Sequence, residues 1–209
     1  MKTSIFAVMF TDLQGYTEKT SRQTRKQNER LLRIHDGLLT PVIRGYGGRR
    51  VKKLGDAYLV IFDSATRALA CGAAIQDRLA GYNRQVEASE RLDIRVAISA
   101  GELRLEGGDV FGEAVNVAAR VESETEPGEV RFTESALLLA DPSAFDYEAL
   151  GSTRFRGIPD EVKLYRLTRT GGEAPYGNRT LLPLGLPPPE PRKVARRRFF
   201  PFWLQGTIR

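Results

Sequence analysis

The sequence predicts an α+β domain with the element order β-α-β-β-α-β, and three observations carry that reading. Strand patterns occur at Ser4 to Leu13, at Tyr58 to Phe62 and in the strict alternation Leu92, Ile94, Val96, Ile98. Between them, Leu31, Ile34, Leu38 and Val42, and then Leu69, Ile75, Leu79 and Tyr82, recur at helical spacing. A glycine-rich stop, Gly45-Tyr46-Gly47-Gly48, separates the first helix from a tight strand pair. Together these make the split βαβ, ferredoxin-like arrangement.

Size and composition bound the rest. The 209 residues are enough to bury a full core in one domain. An apolar fraction of 41% and a charged fraction of 28% are those of an ordinary globular protein. One cysteine, Cys71, makes no internal disulfide, and there is no Cys/His cluster for zinc. His35 is the only histidine. It has no partner motif, which reads as a surface or interface residue rather than a catalytic one. No run approaches the roughly 20 apolar residues of a membrane span, and Ile5 to Phe10 is too short for a signal peptide. The expectation is a cytoplasmic protein.

Charge divides the chain near residue 170. From Thr170 to Arg209 there are seven basic residues against two acidic ones, so this stretch carries +5 of the formal +6. The near-neutral remainder argues against a nucleic-acid partner. Seven of the eleven prolines also lie there. The expected division is a folded domain over 1–169 and a tail over 170–209. Within the tail, Pro183 to Pro191 reads as an extended linker. Arg192 to Arg198 precede Phe199-Phe200-Pro201-Phe202-Trp203-Leu204, a composition suited to docking on an anionic membrane surface or a protein. Equal co-sedimentation of the full chain and residues 1–170 with anionic vesicles would remove that reading.

In chain order, the first strand breaks off at Thr11-Asp12-Leu13-Gln14-Gly15-Tyr16-Thr17. A carboxylate ends the strand, a glycine turns the chain and a helix begins. Such a carboxylate suits a divalent ion, and the helix N–H groups suit phosphate. Asp12 or Thr17 acting only as a helix cap fits the same residues. One helix is expected from about Thr17 to Arg44, with Pro41 removing a backbone hydrogen bond from its last turn. Val51 to Phe62 reads as a hairpin turning at Gly55-Asp56. Lys52 and Asp56 sit four residues apart, about 13 Å along an extended strand, too far for an ion pair. A plain turn with a solvated aspartate is the alternative here.

A second helix, capped by Asp63 or Ser64, is expected to about Arg84, and the third strand runs from Leu92 to Leu105. Gly107 to Gly112 reads as a turn and Glu113 to Arg120 as a helix. Asn116 and Arg120 share one face of it, close to Asp109. They fit either a grip on a polar ligand or an ordinary solvated face. A strand at Glu129 to Thr133, a short helix at Ser135 to Ala140, and a pair of strands around Phe145 to Leu150 and Val162 to Leu167 complete the body.

In this order the pieces resemble the catalytic domain of the class III adenylyl and guanylyl cyclases, over about residues 4 to 168. Phe10-Thr11-Asp12-Leu13-Gln14-Gly15-Tyr16-Thr17 resembles that family's Phe-x-Asp-Ile-x-Gly-Phe-Thr. Lys52 to Asp56 resembles its Lys-x-x-Gly-Asp. Asp109-Val110-Phe111-Gly112, with Val115-Asn116-x-Ala118-x-Arg120, resembles its Asp-x-Trp/Phe-Gly-x-x-Val-Asn-x-Ala-x-Arg.

The resemblance implies a cyclase homology domain: the ferredoxin-like core with a C-terminal extension. It implies that Asp12, Asp56 and the Leu13 carbonyl hold two divalent ions, Mg2+ or Mn2+. It implies that Gly15, Tyr16 and Thr17 line the phosphates. Lys52 and Asp109 match the pair that reads adenine, which favours ATP over GTP. Asn116 matches the residue that orients the ribose, and Arg120 the one that stabilises the transition state. Arg156, in Phe155-Arg156-Gly157, matches a phosphate contact that is more often lysine. The implied assembly is a homodimer with each site shared: Asp12 and Asp56 from one protomer, and Lys52, Asp109, Asn116, Arg120 and Arg156 from its partner. Gly107 to Phe111 also resembles the Gly-Gly-Asp/Glu-Glu-Phe of diguanylate cyclases. Val110 stands where that motif needs a second acid, so the likeness is set aside. A module that binds nucleotide without turning it over is the second functional reading, and the complete residue set argues against it.

Overall fold

The computed structural model describes residues 3–168. The tail features expected at 170–209, including the basic cluster and Phe199 to Leu204, lie outside the described residues. Strand β1 (Thr3–Leu13) is followed by helices α1 (Tyr16–Arg22) and α2 (Arg25–Gly45), then the hairpin β2 (Arg49–Leu54) and β3 (Ala57–Phe62). Next come α3 (Ala65–Asn83), β4 (Ile94–Glu106), β5 (Asp109–Phe111) and α4 (Glu113–Ser123). The described residues end with β6 (Val130–Thr133), α5 (Glu134–Leu138), β7 (Tyr147–Thr153) and β8 (Val162–Leu167).

One sheet runs β2-β3-β1-β4-β6-β8-β7, with β5 folded back on β4. The first part is the expected β-α-β-β-α-β core. The rest extends it through a parallel β4–β6 pair and the antiparallel β7–β8 pair. Strand β3 is apolar at nearly every position because both its faces are covered. Tyr58, Val60 and Phe62 pack with α2 and α3 on one face, while Leu59 and Ile61 meet Ala114 and Ala118 of α4 on the other. The α4 side is the thinner layer. Several chemistry-bearing residues identified above project on that side.

Three expectations are corrected. The single helix expected over 17–44 is two helices, broken at Gln23 and Thr24. Thr24 caps α2: its hydroxyl accepts from the Gln27 N–H, and Gln27 Oε1 accepts from the Thr24 N–H at 2.8 Å. This capping box fixes a new helix start that the apolar spacing, beginning only at Leu31, does not reveal. Helix α2 then runs through Pro41 to Gly45.

His35 is not a surface residue; it is fully buried on α2. Its ring meets Tyr58 edge-on at 4.9 Å, and Nδ1 lies 3.4 Å from Asp36 Oδ1. Burial holds its pKa below the usual histidine value, so the neutral ring is the form the fold prefers. Asp36 also accepts from the Tyr58 hydroxyl and from Lys53 Nζ at 2.7 Å.

Residues 109–111, expected within a turn, pair with Arg104 to Glu106 as β5. The chain enters α4 through Gly112 at φ 155. A Cβ there would stand 2.6 Å from the Glu102 carbonyl oxygen, so only glycine passes this corner without a shift.

Candidate active site

The first group of candidate residues gathers at the end of β1. Asp12 is its penultimate residue. Gly15, left-handed at φ 67, then turns the chain into α1, which Tyr16 and Thr17 open. The β2–β3 turn arrives beside it. Tyr16 Cε1 lies 3.7 Å from where a Cβ on Gly55 would stand. Asp56 is buried, and its Oδ2 accepts from the Leu13 N–H at 3.1 Å. That bond ties the two halves of the group together. Burial, and then the neighbouring Asp12 charge, push the Asp56 carboxyl up to about 6.

Arg95 completes the neighbourhood, and sequence reasoning missed it. It faces Asp12 across the β1–β4 register. Its Nη2 lies 2.6 Å from Asp12 Oδ2. Its Nε lies 3.2 Å from Glu122 Oε1 of α4, close enough for charge attraction but without hydrogen-bond geometry. Burial raises the Glu122 pKa. The guanidinium thus sits between carboxylates from β1 and α4.

The donors present fit divalent cations of the magnesium class. Asp12, Asp56 and the Leu13 carbonyl are all hard oxygen ligands. The two carboxylates repel each other, and a guanidinium already stands against Asp12 where positive charge is favoured. Among the described residues no group of three or more His, Cys, Asp or Glu forms a metal cage. A cation there would draw its remaining ligands from water or from a bound anion.

The second group lies on the α4 side of the sheet. Lys52 pairs with Leu59 in the β2–β3 register and shares its face. Its Nζ makes an ion pair with Asp109 Oδ2, whose other oxygen accepts from the Val110 N–H at 2.8 Å. The Lys52 bond first, and then that N–H, hold the Asp109 carboxyl below the usual carboxylate range. A groove of about 320 Å3 opens beside Asp109, between the Glu106 to Gly108 turn and residues 49–51 of β2.

Asn116 and Arg120 are exposed on α4, and neither side chain has a hydrogen-bond or ion-pair partner among the described residues. The anchor for Arg156 is its neighbour Phe155, buried against Val117 and Val121 of α4. Arg156 itself is exposed beside that helix.

Within one chain, then, Asp12, Leu13, Gly15 to Thr17 and Asp56 are brought together, and so are Lys52 and Asp109. No hydrogen bond or ion pair joins the two groups among the described residues. Residues 2–169 match the family described as the adenylate and guanylate cyclase catalytic domain, and the chain belongs to that family. It is 41% identical over 179 residues to the serine/threonine-protein kinase pkn2 of Myxococcus xanthus, across 86% of this chain and 22% of that protein. It is 32% identical over 134 residues to putative adenylate cyclase 3 of Rhizobium meliloti, across 64% of this chain and 23% of that one. Among solved structures, the guanylyl cyclase Cya2 superposes with a TM-score of 0.71 at 25% identity, across 82% of this chain and 95% of that one. The chain thus spans less than a quarter of the length of these two curated relatives, but nearly all of the solved domain.

Proposed function

We propose that this protein is an adenylate cyclase, converting ATP to 3′,5′-cyclic AMP and pyrophosphate as a homodimer with two shared sites. The observation that carries the choice of ATP is the Lys52–Asp109 pair. It sets an ammonium donor beside a carboxylate acceptor on one face. Adenine offers the complement, an acceptor at ring N1 and a donor at the N6 amine, whereas guanine reverses it.

The reaction is attack of the ribose 3′-oxygen on the α-phosphate: the new 3′ O–P bond forms as the bond to pyrophosphate breaks. Asp12, Asp56 and the Leu13 carbonyl would hold two divalent ions, whose chemistry there would be to lower the pKa of the 3′-hydroxyl and offset phosphate charge. Asn116 orients the ribose. Arg120, which has no side-chain partner among the described residues, is available for the charge that grows on the phosphoryl oxygens in the transition state. Arg156 and the 15–17 turn hold the outer phosphates, the arginine through a fork suited to phosphate oxygens.

The separation of the two residue groups in one chain supports the shared site. Asp12 and Asp56 would act with Lys52, Asp109, Asn116, Arg120 and Arg156 of a second copy. A cytoplasmic location is part of the proposal; among the described residues no helix is long and apolar enough to cross a membrane.

The test is product formation by the purified full chain with ATP and GTP in parallel, in magnesium and in manganese. Cyclic AMP well above cyclic GMP is the expected result. Both nucleotides left intact in both metals would refute the proposal and favour a nucleotide-binding module without turnover. Cyclic GMP in excess would refute the purine assignment alone.

A further inference from the structure

A second concentration of positive charge lies at the opposite end of β2 from the Gly55-Asp56 turn. Arg44 in the last turn of α2 and Arg49 and Arg50 at the start of β2 line a cavity of about 310 Å3, completed by Thr40, Ile43 and Gly48. No carboxylate lines it. None of the three guanidiniums has an ion-pair partner among the described residues. A fourth borders the same turn: Arg67 Nη1 lies 3.4 Å from where a Cβ on Gly47 would stand.

Two of the lining guanidiniums are held by aromatic faces. Arg49 stands 5.7 Å from the Phe6 ring centre and Arg50 4.8 Å from that of Tyr58. These rings lie on opposite sides of the sheet. Arg49 thus borders the cavity from the edge strand with its guanidinium toward the α4 side, while Arg50 lies on the side of α2. Arg44 and Arg50, neither with an ion-pair partner among the described residues, border the cavity from the helix side, an arrangement that favours an anion.

We infer that this cavity is a second anion site, which takes the phosphate group of a small ligand such as pyrophosphate or a mononucleotide. Its volume suits a ligand of that size. Planar guanidinium forks match phosphate oxygens, and with no lining carboxylate a cation has nothing to bind. The site is independent of turnover. It is also distinct from the groove beside Asp109: Arg49 and Arg50 border both, but Arg44 and Thr40 line only this cavity.

The experiment is equilibrium titration of the full chain with inorganic pyrophosphate and, separately, with AMP. EDTA is present, so that metal-dependent binding at Asp12 and Asp56 is silent. Wild type is compared with Arg44→Gln/Arg50→Gln, and with Lys52→Ala and Arg120→Ala as controls on the nucleotide face. The double variant should lose affinity by about tenfold or more, the loss of at least one charge-assisted hydrogen bond. Whatever Lys52→Ala and Arg120→Ala lose at the nucleotide face, the binding that depends on Arg44 and Arg50 should persist in both, and it should weaken with salt. Tighter pyrophosphate marks a free polyphosphate ligand, and tighter AMP marks a nucleotide; either supports the site. Arg44→Gln alone, exposed on α2, replaces the double variant if that one unfolds. No binding at millimolar ligand, unchanged affinity in the arginine variant, or loss of the Arg44- and Arg50-dependent binding in Lys52→Ala or Arg120→Ala would overturn the assignment.

Discussion

Replacing Asp56 by asparagine should stabilise the metal-free protein at neutral pH while abolishing its response to metal. Burial and the Asp12 charge raise this carboxyl from 3.8 to about 6. The folded value lies above the unfolded one, so the fold prefers the neutral acid. The stability from that preference is complete below pH 3.8, declines as pH rises from there, and is gone once pH has passed about 6. At about 1.4 kcal/mol per pKa unit the full loss is about 3 kcal/mol. About 2 kcal/mol is expected once residual solvation is allowed for.

Asparagine is isosteric, carries no charge, and can still accept the Leu13 N–H through its carbonyl oxygen. For a domain of this size each kcal/mol moves Tm by roughly 2–4 °C. In EDTA the variant should therefore melt about 4–8 °C above wild type near neutral pH, with the gap closing toward about pH 4. Added magnesium or manganese should raise the wild-type Tm by mass action and leave the variant unmoved. A variant that melts below wild type in EDTA at neutral pH, or a gap that does not change with pH, would refute the electrostatic argument.

Three further predictions test the proposed function. Arg120→Ala should lower kcat by about two orders of magnitude or more with an unchanged melting curve, because the side chain is exposed and has no partner among the described residues. Mixing inactive Asp12→Ala and Arg120→Ala proteins should restore part of the activity, since one of the two sites in each heterodimer is then intact; no recovery despite demonstrated subunit exchange would sink the shared site. Asp109→Ala should leave thermal stability unchanged, because its pair with Lys52 is solvent-accessible, yet raise KM for ATP. A drop in stability without a KM effect would mean that the pair is structural.

Much of the site can be read from the chain because its residues sit at breaks in pattern. Asp12 interrupts an apolar strand just before a glycine turn, and Asp56 follows a glycine inside a hairpin. Asn116 and Arg120 share a helical face. Arg95 has no such break. It falls on the polar positions of the Leu92, Ile94, Val96, Ile98 alternation, where a charged residue is expected, and only the β1–β4 register places it on Asp12. Glu122 near the end of α4 is hidden in the same way, since its role depends on where the helix packs. His35 shows the converse error. It lies four residues from both Leu31 and Leu39 on one helical stripe, so helical spacing marks it as buried, whereas its polarity suggests the surface. The break before α2 was also legible, in Thr24 and Gln27, but a cap outweighs apolar spacing only when the first turn is read separately from the rest of the helix.

The β2–β3 register shifts between Arg50 and Lys52, leaving Val51 as an extra residue. Strand alternation alone would put Arg50 and Lys52 on the same face. Instead Arg50 lies over Tyr58 on the helix side, while Val51 and Lys52 both project toward α4 and Lys53 returns to Asp36. An in-frame loss of the single codon for Val51 would make Arg50 and Lys52 consecutive in a regular strand and so leave each on the face it now occupies. Descendants of this chain can therefore lose residue 51 and keep both charges in place; what a gap there removes is the Val51 contact on the α4 side and the local bend of the edge strand.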